Sequence, residues 1–233
     1  MREQRFTKAV SALLCAMALA LAMGLVSCAS TKQVSADESH PQEAGASKES
    51  TKRRSAKKGE PVLPKSDRIS RNIADEGIKD AGQLYAFFLE TNPYADKAQV
   101  SRLARYYVEE SRAEGINSDC AFVQMCLETG FLQFGNLVTA DMHNYCGLGA
   151  TGGDNRGVSF ETERLGVRAH VQHLHAYATT EDKRLKRELV DPRYKYVVPR
   201  GKSPTIAGLS LTWAADPDYA IKLEQLLVRL EAY

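Results

Sequence analysis

The sequence predicts a mainly α (α+β) fold, a helical domain with a small loop-rich β-hairpin lobe, and two patterns carry that prediction. Between residues 67 and 233 the apolar side chains recur with the period of a helix almost throughout. The exception is residues 136–161, where glycines at 147, 149, 152, 153 and 157 rule out a long helix and favour turns and short strands.

Each helix carries its own punctuation. Leu84, Phe87 and Phe88 mark a first helix that ends before Asn92 and Pro93. Val100, Leu103, Ala104, Tyr107 and Val108 share one face of a second, with Asp96 and Gln99 as a cap-like pair and Gly115 as the stop. A third, amphipathic helix closes within AFVQMCLETGFLQFG, residues 121–135, at Glu128, Thr129 and Gly130. Beyond the glycine-rich stretch Thr162 caps a fourth, marked by Val167, Val171, Leu174 and Ala178. Ser203 and Pro204 open a short helix with Ile206, Leu209 and Trp213 on one side. Asp216 as N-cap and Pro217 at the first helical position start the last helix, which runs through Leu223, Leu226, Leu227 and Leu230.

Residues 1–27 read as a signal peptide: Arg2, Arg5 and Lys8 make a basic start, and an apolar stretch runs from Ala9 to Val26. It closes on Leu25, Val26, Ser27 and Cys28, which resembles the lipobox of bacterial lipoproteins, where cleavage precedes the cysteine and its thiol carries a lipid. Cys28 is therefore the expected lipidation site, and more than one acyl chain is enough for stable membrane anchoring. Residues 28–66 are rich in Ser, Lys, Glu and Ala, with almost no large apolar side chain before Val62 and Leu63. Such a segment buries too little surface to offset chain entropy and is expected to be a disordered tether. The expected organisation is a signal peptide at 1–27, a lipidated cysteine and tether at 28–66, and a folded domain at 67–233. The expected location is the cell envelope, facing the periplasm or the cell surface.

Cleavage removes Arg2, Arg5, Lys8 and Glu3, taking Lys+Arg from 31 to 28 and Asp+Glu from 29 to 28. A nearly neutral chain gives no electrostatic case for nucleic acid as a partner. Three cysteines, Cys120, Cys126 and Cys146, stay in the domain, and the sequence does not say which would pair. His170 and His173 share a helix face with His175 nearby, but no HExxH pattern or Cys-x-x-Cys pair joins them, so no metal is expected.

Glu128 stands apart from the other acids. Ala121, Met125 and Glu128 fall on one helical face, so the acid sits among apolar neighbours. Desolvation disfavours the charged form, and a carboxylic acid still protonated near neutral pH can give its proton to a glycosidic oxygen. The competing reading of the same spacing is an acid facing solvent at a frayed helix end.

Taken in order, the blocks around this acid resemble the bacterial glucosaminidase domain, glycoside hydrolase family 73 of the lysozyme-like superfamily. AFVQMCLETGFLQFG is similar to the family's helix with its catalytic glutamate, and HNYCGLGATGG to the Asn-aromatic-x-Gly-Ile/Leu segment that follows. SFETERLGVRAHVQHLHAYA, VDPRYKYV and LTWAADPDYAIKLEQLL resemble the later blocks, so the likeness spans roughly Gln83 to Leu230. The resemblance implies a lysozyme-like helical body with the substrate cleft between it and the lobe. It also implies hydrolysis, without a cofactor, of the β-1,4 bond after N-acetylglucosamine in peptidoglycan, by a monomer whose partner is the glycan strand.

By the same resemblance Glu128 is the general acid. A second group must stabilise the oxocarbenium-like centre: Asp154 or Glu161 at the spacing expected for inversion, or the substrate's own N-acetyl oxygen. A turn for Asp154 and a place before the Thr162 cap for Glu161 are the competing structural roles. Tyr219 lies in the block that carries a tyrosine implicated in activity, and Asn144, Tyr145 and Trp213 are implied to contact sugar. Core packing is the alternative for the aromatics, loop support for Asn144. Two other functions stay open: a lytic transglycosylase that closes an anhydro ring on muramic acid, and an inactive wall-binding lipoprotein.

Overall fold

The computed structural model describes residues 68–233; the expected signal peptide, the expected lipidation site Cys28 and the expected tether lie outside the described residues. The order of helices is α1 (Ala81–Thr91), α2 (Lys97–Glu114), α3 (Ser118–Thr129), α4 (Glu163–Ala178) and α5 (Tyr219–Glu231). Their ends follow the local chemistry. Asp80 and Gln83 cap α1 reciprocally, each side chain accepting from the other's backbone N–H. Asp96 caps α2 by accepting from the N–H groups of Ala98 and Gln99, and Gly115 stops it at φ +69°. The Gln99 side chain does not complete that cap; it donates instead to Glu163 on α4 at 3.1 Å.

Three elements differ from the sequence reading, one for a tertiary reason and two through local turns. The α3 helix is not amphipathic: every residue from Ser118 to Cys126 is buried. It is the central helix, in contact with α1, α2, α4 and α5. Leu84 and Phe88, Leu103 and Tyr107, Val171 and Leu174, and Leu223 and Leu227 bring the apolar faces of those helices into one core. Each such side chain contributes roughly 1.5–3 kcal/mol when fully buried. Second, α5 begins at Tyr219 because Asp216 is used in a turn, its side chain accepting from the N–H of Asp218 and its carbonyl from that of Tyr219. Third, the short helix expected before it is one 3-10 turn, Ile206–Leu209, from which Leu209 accepts the Trp213 N–H at 2.9 Å.

The lobe is built of loops. Its β character is one isolated antiparallel bridge, Gly152 to Asn155. The buried Asn144 amide supplies the cross-links that a ladder would otherwise give. Its Oδ1 accepts from Leu148 N at 2.9 Å and Cys146 N at 3.4 Å, and its Nδ2 donates to the carbonyls of Leu148 at 3.0 Å and Val158 at 2.9 Å. The lobe rests on α4 at Gly166, where a Cβ would lie 1.8 Å from the carbonyl oxygen of His143.

Residues 179–218 contain no α-helix, and buried side chains satisfy their backbone. Glu114 accepts from the N–H groups of Lys186 and Arg187 at 2.7 and 3.0 Å, and Gln172 from those of Val190 and Asp191 at 2.8 and 3.2 Å. This strap is thereby tied to α2 and α4, and its far end carries Trp213 towards the end of α3.

Candidate active site

Gly130 ends α3 in the left-handed region at φ +57°, and Phe131, Leu132 and Phe134 follow with φ of 54°, 62° and 56°. Thr129 holds this turn, its hydroxyl oxygen accepting from Leu132 N at 2.9 Å and its carbonyl from Phe134 N at 2.8 Å. Bulky residues in that region each cost about 1–3 kcal/mol, and such strain collects at functional sites. The turn stops α3 while Glu128 is still on its last turn.

Two donors converge on one oxygen of Glu128. The Trp213 indole N–H reaches Oε1 at 3.0 Å, and the Tyr219 hydroxyl donates to the same atom. Oε2 makes no hydrogen bond to any described residue; it faces Gly147, where a Cβ would lie 3.7 Å away. Burial pushes the carboxyl above its usual 4.5, and the hydrogen bonds from Tyr219 and Trp213 pull it part of the way back. Because both donors use Oε1, the proton of the neutral acid belongs on Oε2.

Glu128 opens on a cavity of about 300 Å³, walled by Phe134, residues 136–138, Asn144, Cys146, Gly147 and Trp213 among others. Among the described residues, Glu128 is the one carboxylate lining it. Hollows of about 720 and 830 Å³ elsewhere on the domain contain none of these groups, so chemistry and not size selects the site.

The structure thus brings Glu128, Trp213 and Tyr219 together. The Trp213 ring also lies against His170, His173 and Tyr177, with centroids 5.8, 5.1 and 5.0 Å apart. Asn144 reaches the cavity wall, but both ends of its amide are engaged by the loop. Tyr145, expected at the sugar, is 0% exposed and packs in the core, so its ring offers no face to a ligand. That expectation is corrected: the ring is enclosed in the core, with α4 beside it at Gly166. Asp154 and Glu161 are exposed and do not line the cavity.

Cys120, Cys126 and Cys146 are free and buried, and burial pushes each thiol up, away from a nucleophilic thiolate. The histidines have separate partners: Tyr107 and Gln124 for His170, Asp191 for His173, and Tyr194 for His175. Among the described residues no group of three or more His, Cys, Asp or Glu side chains is placed to hold a metal ion.

Sequence reasoning missed Gln124 and His170, which stand behind the acid. Gln124 donates to the Tyr219 hydroxyl oxygen at 2.8 Å, and His170 bonds Gln124 Oε1 at 3.0 Å. One signal was available: Gln124 lies four residues before Glu128, on the same helical face.

The glucosaminidase family model, described as mannosyl-glycoprotein endo-beta-N-acetylglucosaminidase, matches residues 104–232. An uncharacterized protein of Borreliella burgdorferi is 41% identical over 161 residues, covering 69% of this chain and 78% of that protein. No solved structure matches the chain significantly. The matched stretch takes in more than half of the sequence and every side chain that converges on the Glu128 carboxyl, and the chain therefore belongs to the glucosaminidase family.

Proposed function

We propose that the domain is a peptidoglycan hydrolase, an endo-β-N-acetylglucosaminidase that cleaves the β-1,4 bond after N-acetylglucosamine with Glu128 as general acid. One observation carries the reading: a desolvated carboxyl with one oxygen held by two donors and the other beside Gly147, on the wall of the cavity. Proton transfer from Oε2 to the glycosidic oxygen releases the leaving sugar. The carboxylate that remains keeps the hydrogen bonds of Tyr219 and Trp213, which stabilise the charge as it forms.

With no second acid among the described residues of the cavity wall, the proposal assigns the other role to the substrate's 2-acetamido oxygen. That oxygen attacks the anomeric carbon as the glycosidic bond breaks, and the Glu128 carboxylate then takes a proton from the water that opens the resulting ring. Asp154 and Glu161 are not needed for this sequence of steps. Mass spectrometry of digested wall tests the reading: new reducing-end N-acetylglucosamine is expected, and anhydromuramyl ends would establish the transglycosylase instead.

The pH profile follows from the same geometry. Activity needs the protonated acid, so kcat/KM falls as pH rises through the Glu128 pKa, which lies above 4.5. Tyr219→Phe removes a bond that favours the carboxylate, so this alkaline limb is expected to move to higher pH, with a lower maximum rate. A limb that stays in place or moves down in that variant contradicts the assignment.

The location is part of the same proposal: the lipobox-like Leu25 to Cys28 anchors the domain in the envelope, and the tether lets it reach the wall. Metabolic labelling with a fatty acid checks this, since Cys28→Ser is expected to lose the label.

A further inference from the structure

The groups behind Glu128 form a chain of hydrogen bonds with one direction. Tyr219 Oη donates to Glu128 Oε1, and Gln124 Nε2 donates to Tyr219 Oη at 2.8 Å. Gln124 Oε1 is a carbonyl oxygen and only accepts, so the His170 Nε2 that meets it at 3.0 Å must carry a hydrogen. In neutral His170 the other ring nitrogen is then bare, and the Tyr107 hydroxyl donates to Nδ1 at 2.8 Å. Burial, with His173 adding a like charge nearby, holds the His170 pKa down to about 3, so the ring is neutral at any working pH. The four groups come from α5, α3, α4 and α2, and none is more than 5% exposed.

We propose that Gln124 and His170 are positioning residues for the reaction: with Tyr107 they form a buried one-way relay that aims the Tyr219 hydroxyl at Glu128 Oε1 and leaves the transferable proton on Oε2. Tyr219 has a single proton to give. Without a donor from Gln124, that hydroxyl is free to turn away from Glu128. Without His170, the Gln124 amide is free to flip and present its oxygen to Tyr219, which reverses the bond. His170 therefore acts on the acid through two intermediates and never touches substrate.

The proposal rests on Glu128 being the proton donor, and its test separates the two ideas. The first measurement is the tautomer of His170 by nitrogen NMR of the full chain labelled at histidine. Protonated Nε2 with bare Nδ1 is expected, and protonated Nδ1 overturns the relay whatever the role of Glu128. The second is kinetic. His170→Phe keeps the bulk of the ring and removes the donor, and is expected to lower kcat about tenfold with KM unchanged, the equivalent of one net hydrogen bond. His170→Gln restores an N–H towards Gln124 and is expected to recover most of that loss. Wild-type kcat in His170→Phe, an effect confined to KM, or equal losses in both variants would overturn the proposal. Should His170→Phe fail to fold, the tautomer measurement on the unaltered protein still decides. Full turnover by Glu128→Gln would remove the acid reading instead, independently of the tautomer.

Discussion

Glu128→Gln is expected to lower kcat/KM on peptidoglycan by about 100- to 10,000-fold, the usual contribution of a general acid, without unfolding the domain. Glutamine has the shape of glutamic acid. Its Oε1 still accepts from Trp213 and Tyr219, so the converging donors keep their partner. What changes is the atom facing Gly147: an amide N–H₂ replaces the acid oxygen, and an amide does not release a proton to a leaving sugar. Purified full-length protein of both kinds, assayed for sugar release and for wall binding, checks this. Equal binding with lost turnover in the variant is the expected pattern, whereas binding without turnover in both would identify a wall-binding module.

The same substitution has a predictable sign on stability. Burial raises the Glu128 pKa in the folded chain above the ordinary 4.5. The stability associated with the neutral acid is complete below about 4.5 and is lost as pH rises through the folded pKa. At neutral pH the native carboxyl therefore costs stability, and Glu128→Gln is expected to melt no lower than the natural protein. Below about pH 4.5 the difference should close, because the acid is then neutral in both folded and unfolded chains.

Gly166→Ala is the substitution with the largest expected effect on the fold. Its Cβ would lie 1.8 Å from the His143 carbonyl oxygen, 3.0 Å from the carbonyl carbon and 3.3 Å from a ring carbon of Tyr145. The first two are backbone atoms with no rotamer to change. They are also held: His143 Nδ1 bonds the Phe160 carbonyl at 3.0 Å, and the Met142 carbonyl accepts from Phe160 N at 2.9 Å. Relief requires either moving the lobe off α4 or bending the helix, and a cost of about 3 kcal/mol or more is expected. Denaturant titration measures it. Because the lobe carries Asn144, Cys146 and Gly147 to the cavity, activity should fall with stability. A variant as stable as the natural protein would show that the lobe does not bear on α4 at this glycine.

Features written locally in the chain were legible from it. Asp96, Thr162 and the glycines at 115 and 130 act on backbone within a turn of themselves, so both ends of α2, the end of α3 and the start of α4 follow from sequence. Glu128 was legible for the same reason, since it sits two residues before the glycine that stops α3. What was not legible depends on partners far away in sequence. Periodicity detects a helix by its wet face, and α3 has none over most of its length, so its central place was invisible. The sequence leaves Trp213 open between a sugar contact and core packing beside Ile206 and Leu209, and neither reading shows that its N–H meets an acid 85 residues away. The hairpin expected in the lobe gave way to loops organised by Asn144, whose four bonds reach backbone as far as Val158. Resemblance alone places Tyr145 at the sugar, and its burial comes from packing in the core beside α4, which its local sequence does not show.

The most direct test of Glu128 as proton donor compares Glu128→Gln with the natural protein on two substrates that differ in leaving group. A peptidoglycan strand needs its glycosidic oxygen protonated, whereas a chitooligosaccharide carrying a nitrophenol departs without help. The variant is expected to lose about 100-fold or more on the strand and far less on the nitrophenyl glycoside. Equal losses on the two substrates, or none on either, would contradict a proton-donating role for Glu128.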